Sequence, residues 1–154
     1  MFNSHLSYAL LLWGSAFTTL MSSIEKFQKR AVRAISFADF NSPSSHLFKS
    51  LGFLKLTDLF KLKVVSLMYH VEADLVPAAL GSLFNKVNHS FGTRSVRSGL
   101  LAPPDFNTYT YGCKAFKTYG VKIFNQYKNH AIWQTSKSKI EFLRKLKQSF
   151  IDTY

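Results

Sequence analysis

The stretch DLFKLKVVSLMYHVEAD, residues 58–74, constrains the fold more than any other part of the chain. Wound at about 100° per residue, Leu59, Phe60, Leu62, Val64, Val65, Leu67, Met68 and Val71 fall on nearly every side of the axis. A helix that is apolar all round must be enclosed by other elements. Met68 and the aromatics here are therefore core residues rather than a cofactor box. With 154 residues, 47% of them hydrophobic, the chain is long enough to supply that enclosure around one core. The expected fold class is mainly α, a small helical domain with an irregular loop or short β segment before the C-terminal helix.

Candidate partners of the central helix are read from spacing. Thr57 stands where its N-cap would be. Upstream, Ser42 and Pro43 read as the N-cap and first position of a short helix that Gly52 ends. Ser22 and Glu25 have capping-box spacing, and Ile24, Phe27, Ala31 and Ile35 then recur at three and four residues as one apolar face. The segment LSYALLLWGSAF at 6–17 belongs to a first stretch of 24 residues without Asp, Glu, Lys or Arg. Asn3, Ser4, His5, Ser7, Ser15, Thr18 and Thr19 break it short of the ~20 apolar residues a membrane span requires, so a buried helix over 6–20 is expected.

After Pro77, PAALGSLF adds a turn or two of helix. Residues 85–112 mix Gly, Pro, Asn, Ser and Thr and read as loop with at most a short extended pair. CKAFKTYGVKIFNQYK reads as a strand or turn leading into a short helix. Ser138 and Glu141 form a second capping box, before a helix with Ile140, Leu143, Leu146, Phe150 and Ile151 on its apolar side. The division expected is a helical region over 1–85 and a loop-rich segment with a basic helix over 86–154, packed as one domain.

Lys and Arg number 20 against 8 acids, a net charge of +12, which favours a polyanionic partner: nucleic acid or an acidic membrane surface. Lys26, Lys29, Arg30 and Arg33 gather on the side of the 22–37 helix away from the expected apolar stripe. Glu25 is the one acid near them before Asp39, so their mutual repulsion is left for phosphates to cancel. Catalysis lacks its ingredients. FADF at 37–40 offers a single carboxylate, Asp39, where two-metal phosphoryl transfer needs several converging on the ion pair. The other acids cluster at helix starts and ends, the five histidines have no ligand spacing, and Cys113 is alone. No glycine-rich phosphate loop occurs. No cofactor, metal or catalytic residue is expected.

Three segments in order, YALLLWG at 8–14, IEKFQKRAVRAI at 24–35 and LFKSLGFLKLTDLFKLKVVSLMYH at 47–70, resemble the region that follows the polymerase palm in jockey-like non-LTR retrotransposon reverse transcriptases. NHSFGTR at 88–94 is similar to a later His, aromatic, Thr-Arg signature, carried by His89, Phe91, Thr93 and Arg94. YGVKIFNQYK at 119–128 keeps Gly120 and Asn125 of the family's pattern, with Phe124 where Trp is usual and Lys128 in place of proline. Ala9 stands where relatives commonly have Gly. The resemblance implies a thumb and post-thumb fragment without palm, fingers or endonuclease, in which Asp39 lies outside the catalytic centre.

On that reading the partners are the RNA or DNA phosphate backbone and the missing palm domain, with no small-molecule substrate. The binding residues are Lys26, Lys29, Arg30, Arg33, Arg94, Arg97, Arg144 and Lys145, acting without sequence specificity, and an intracellular location, nucleus or cytoplasm, is favoured without being fixed. Two other readings stand beside it: a membrane-associated small protein anchored by residues 6–20, and an inert transposon remnant.

Overall fold

A computed structural model describes residues 2–15, 18–84, 99–105, 115–136 and 138–154. Among them are nine helices and no strand: α1 Phe2–Ser7, α2 Leu10–Trp13, α3 Thr18–Ile35, α4 Ser44–Leu51, α5 Leu56–Glu72, α6 Ala78–Gly81, α7 Phe116–Lys128, α8 Ala131–Thr135 and α9 Lys139–Asp152. The fold is mainly α, and residues 99–105 are irregular apart from a single bridge residue at Leu101. Contacts gather the chain into two compact units, Met1–Leu62 with Leu143–Tyr154, and Lys63–Phe142. The boundary expected at 85–86, and most of the loop in which an extended pair was expected, lie outside the described residues.

In the first unit the continuous helix expected over 6–20 is replaced by two short ones. Tyr8 and Ala9 form a turn between α1 and α2, and Ala9 takes left-handed backbone angles, φ 48° and ψ 21°. The Trp13 indole N–H donates to the Tyr8 carbonyl at 2.9 Å, which fixes the turn. A left-handed conformation is costly for any residue with a Cβ, and glycine avoids that cost. Ala9→Gly should therefore raise unfolding free energy by about 0.5–1 kcal/mol after glycine's extra chain entropy is deducted. Urea melts would show it, and an unchanged or lowered midpoint would mean the turn is not held in this form.

Helix α3 buries a different stripe from the one its apolar spacing suggests. Met21, Gln28 and Val32 are buried, whereas Phe27 is 60% and Ile35 47% exposed. The buried line is turned about 75° from the expected Ile24, Phe27, Ala31, Ile35 face. The reason is Gln28, a polar side chain that satisfies two backbone groups of the next segment. Its Nε2–H donates to the Leu54 carbonyl at 2.8 Å, and its Oε1 accepts the Leu56 N–H at 2.9 Å. Helix α5 thus starts at Leu56 with its first N–H capped from α3, not by Thr57, which lies inside the helix. Ser22 likewise lies within α3, so the Ser22 and Glu25 pair does not open that helix.

Tyr154 completes the start of α5. Its phenol oxygen accepts the Lys55 N–H at 2.9 Å and its O–H donates to Asp58 Oδ2 at 2.8 Å. Burial, followed by Asp58, holds the phenol above its ordinary range, so the ring stays a neutral donor. The ring also packs with Ala38, Leu51 and Phe53 against Val32, Leu47 and Phe48, where α3 meets α4. Pro43 rather than Ser42 is the cap of α4. Gly52 ends that helix as expected, at φ 64°, with the Phe53 N–H returning to the Phe48 carbonyl.

In the second unit, α5 keeps Val64, Val65 and Met68 fully enclosed. Trp133 of α8 packs on Phe142, Tyr69 and Phe124 with ring centroids 4.8, 5.3 and 5.6 Å apart. The strand or turn expected after Cys113 is, from Phe116 onward, one helix, α7. Its Asn125 amide pins the backbone of Leu101 in both directions, accepting the N–H at 3.0 Å and donating to the carbonyl at 2.9 Å. Lys128 pairs with Glu72. The Ser138 hydroxyl accepts the Glu141 N–H at 3.2 Å, so that capping spacing has its bond. Of the α9 residues in this unit Phe142 is buried and Ile140 exposed, while Leu146 and Ile151, also buried, belong to the first unit.

Candidate nucleic-acid interface

Because Met21, Gln28 and Val32 point inward, the opposite arc of α3 carries Lys29, Arg33, Lys26 and Arg30 in angular order. Lys26 and Arg30 are exposed, and Lys29 and Arg33 half-buried. Arg33 is partly committed to structure: its Nε–H donates to the Ser42 carbonyl at 2.9 Å and holds the turn between α3 and α4. Lys29 borders a polar hollow of about 160 Å³ where Lys55 and the residues Ser44, Ser45 and Thr57 also face, with Glu25 on its wall. Such a hollow can take a phosphate oxygen cluster from a chain lying along α3.

Past Arg30 the arc ends in aromatic surface. The Arg30 guanidinium lies 5.9 Å from the Phe27 ring centre and 5.9 Å from that of Phe40, over both rings. Phe40 is 70% exposed and Phe37, at the end of α3, is 98% exposed. Phe37 also takes left-handed angles, φ 50°, where the chain leaves the helix and the Ala38 N–H returns to the Arg33 carbonyl at 3.0 Å. Asp39, exposed beside them, uses its carbonyl to accept the Ser42 N–H at 3.0 Å.

The remaining expected site residues are spread more widely. Arg144 and Lys145 lie on α9, Arg144 exposed and Lys145 half-buried and engaged in an interaction of its own. Arg94 and Arg97 lie outside the described residues, as does Cys113. Sequence spacing missed Lys55, which shares the hollow with Lys29. It also missed the exposure of Phe27, because an aromatic at helical spacing reads as core. The aromatic pair in FADF was the available signal.

Among the described residues no three His, Cys, Asp or Glu side chains could hold a metal ion together. None of the described helices is long and apolar enough to cross a membrane.

The chain matches no protein-family model, no curated protein and no solved structure with which it was compared.

Cations spaced along one helix face can follow a phosphate backbone, an interaction that positions a nucleic acid without reading its sequence.

Proposed function

We propose that the chain is a non-catalytic C-terminal fragment of a non-LTR retrotransposon reverse transcriptase, gripping RNA or DNA through the phosphate backbone without sequence specificity. The observation that carries this reading is the cationic arc of α3, with Lys26 and Arg30 exposed and Lys29 turned toward the hollow it shares with Lys55. Position 9 supports the resemblance: the backbone there is left-handed, which suits the glycine common in that family. Exposed Tyr8 and Leu12 offer apolar surface for the missing palm domain to cover. A protein that works on nucleic acid in this way acts inside the cell.

The test is a salt titration of binding to mixed-sequence RNA and DNA. Lys26→Gln, Lys29→Gln and Arg30→Gln combined keep helix propensity and remove charge. Arg33 is left in place because it holds the Ser42 carbonyl. The slope of log affinity against log salt should become shallower by about 2–3, at roughly 0.7–0.9 for each phosphate no longer neutralised, equally for all sequences. Unchanged affinity and slope would reduce this arc to a solvated face.

A further inference from the structure

We infer that the Phe27, Arg30, Phe40 cluster, with the exposed Phe37 three residues before Phe40 in the chain, is a stacking platform for unpaired bases, so that this face prefers single-stranded nucleic acid to duplex. The inference rests on the phosphate-binding reading of α3 and adds a substrate class to it. Three observations lead there.

First, the rings are placed outward rather than packed: Phe27, Phe37 and Phe40 are 60%, 98% and 70% exposed. Second, Phe37 combines nearly complete exposure with left-handed backbone angles. Both are unfavourable for a bulky side chain, and at that exposure no packing among the described residues offsets them for the ring itself. Third, the rings do not form a plain apolar patch. Arg30 lies over two of them, and the Lys26 and Lys29 cations continue along the same helix.

That alternation matches single-stranded nucleic acid, in which base faces and phosphates are presented together. Aromatic and guanidinium planes stack on bases of any identity, while the cations track the backbone. In a duplex the base faces are already stacked on one another and are withheld from the rings, leaving phosphates, sugars and groove edges. A bilayer fits less well, because inserting Phe37 and Phe40 would carry the Asp39 carboxylate between them toward the lipid.

The experiment compares three fluorescent probes on the full chain: a mixed-sequence single strand, an abasic single strand of the same length and charge, and the corresponding duplex, which carries twice the charge. The single strand should bind roughly tenfold or more tighter than the other two, since stacking contributes about five- to hundredfold per base. Phe27→Leu, Phe37→Leu and Phe40→Leu combined, all at exposed positions, should bring the single strand down to the abasic level. The salt slope and duplex affinity should stay as they were. Phe→Tyr at the same positions should restore the preference.

Equal binding of all three probes by the wild-type chain would overturn the platform while leaving the phosphate grip intact. Binding to none of them would overturn both. A Leu variant that keeps its single-strand preference would overturn the platform, as would one whose only loss is binding to phosphatidylserine vesicles, which would assign the rings to a membrane surface.

Discussion

Gln28→Leu should destabilise the first unit by about 2–4 kcal/mol, although leucine nearly fills the same space. The loss comes from two orphaned backbone groups, the Leu54 carbonyl and the Leu56 N–H, which Gln28 serves at 2.8 and 2.9 Å. Leu54 is 4% and Leu56 0% exposed, so water does not replace the amide. Each such unsatisfied group costs about 1–3 kcal/mol.

Gln28→Glu sharpens the test with pH. A protonated carboxyl can donate to the Leu54 carbonyl and accept from the Leu56 N–H, whereas the carboxylate loses the first bond and adds a buried charge. The folded-state pKa of the new carboxyl should lie above its unfolded value. Its stabilisation is then present below the unfolded pKa and lost as pH rises through the folded one. Urea melts across acid and neutral pH would measure both variants. A Leu variant as stable as wild type would remove the capping role of Gln28.

Gly14→Ala should cost about 1–3 kcal/mol or more, for want of room rather than of backbone freedom. Gly14 has φ −66°, which any residue adopts. A Cβ there would stand 2.3 Å from Phe60 Cδ2 and 2.5 Å from the Leu10 carbonyl oxygen. Phe60 is 3% exposed and cannot swing away, and the Leu10 carbonyl accepts the Gly14 N–H at 2.7 Å. Phe60→Leu should be destabilising alone yet should recover part of the loss when combined with Gly14→Ala, a coupling that thermal melts of the two single variants and the double variant would give. Strict additivity would mean the two positions do not touch. The contrast with Ala9 is instructive: five residues apart, one position lacks the glycine its backbone favours and the other needs glycine for its volume.

The elements that were legible in the sequence are those whose signal is local. The all-round apolar residues of 58–74, Gly52 after Leu51 and the Ser138 and Glu141 spacing each carry their cause within a few residues, and α5, the end of α4 and the start of α9 follow them. What stayed hidden depends on partners far away in the chain. Gln28 gains its role only when Leu54 and Leu56 are brought beside it, and with it the whole α3 stripe turns, exposing Phe27 and Ile35. The break at Ala9 carries no helix-breaking residue, and only the resemblance, which puts glycine at that position, marks it. Of the candidate site, charge alone placed Lys26, Lys29 and Arg30 on one helix face. The bond from Arg33 to Ser42 and the hollow that Lys55 shares with Lys29 needed the fold.

The Tyr154 hydroxyl joins residues 99 and 96 positions apart, Lys55 and Asp58. In kinetic terms this makes the first unit a late-closing one. Its two pieces, residues 1–62 and 143–154, are separated by the whole of the second unit, which is continuous in sequence. At about 5–20 residues per second of synthesis, the first piece waits several seconds on the ribosome before Tyr154 exists to cover the start of α5. Contacts of such separation also slow refolding, because the closure entropy of a long loop comes before its reward. The second unit should therefore gain protection from hydrogen exchange first. During that interval Val32, Leu47 and Phe48 lack the ring that packs against them, and that cluster is the apolar surface a chaperone would shield.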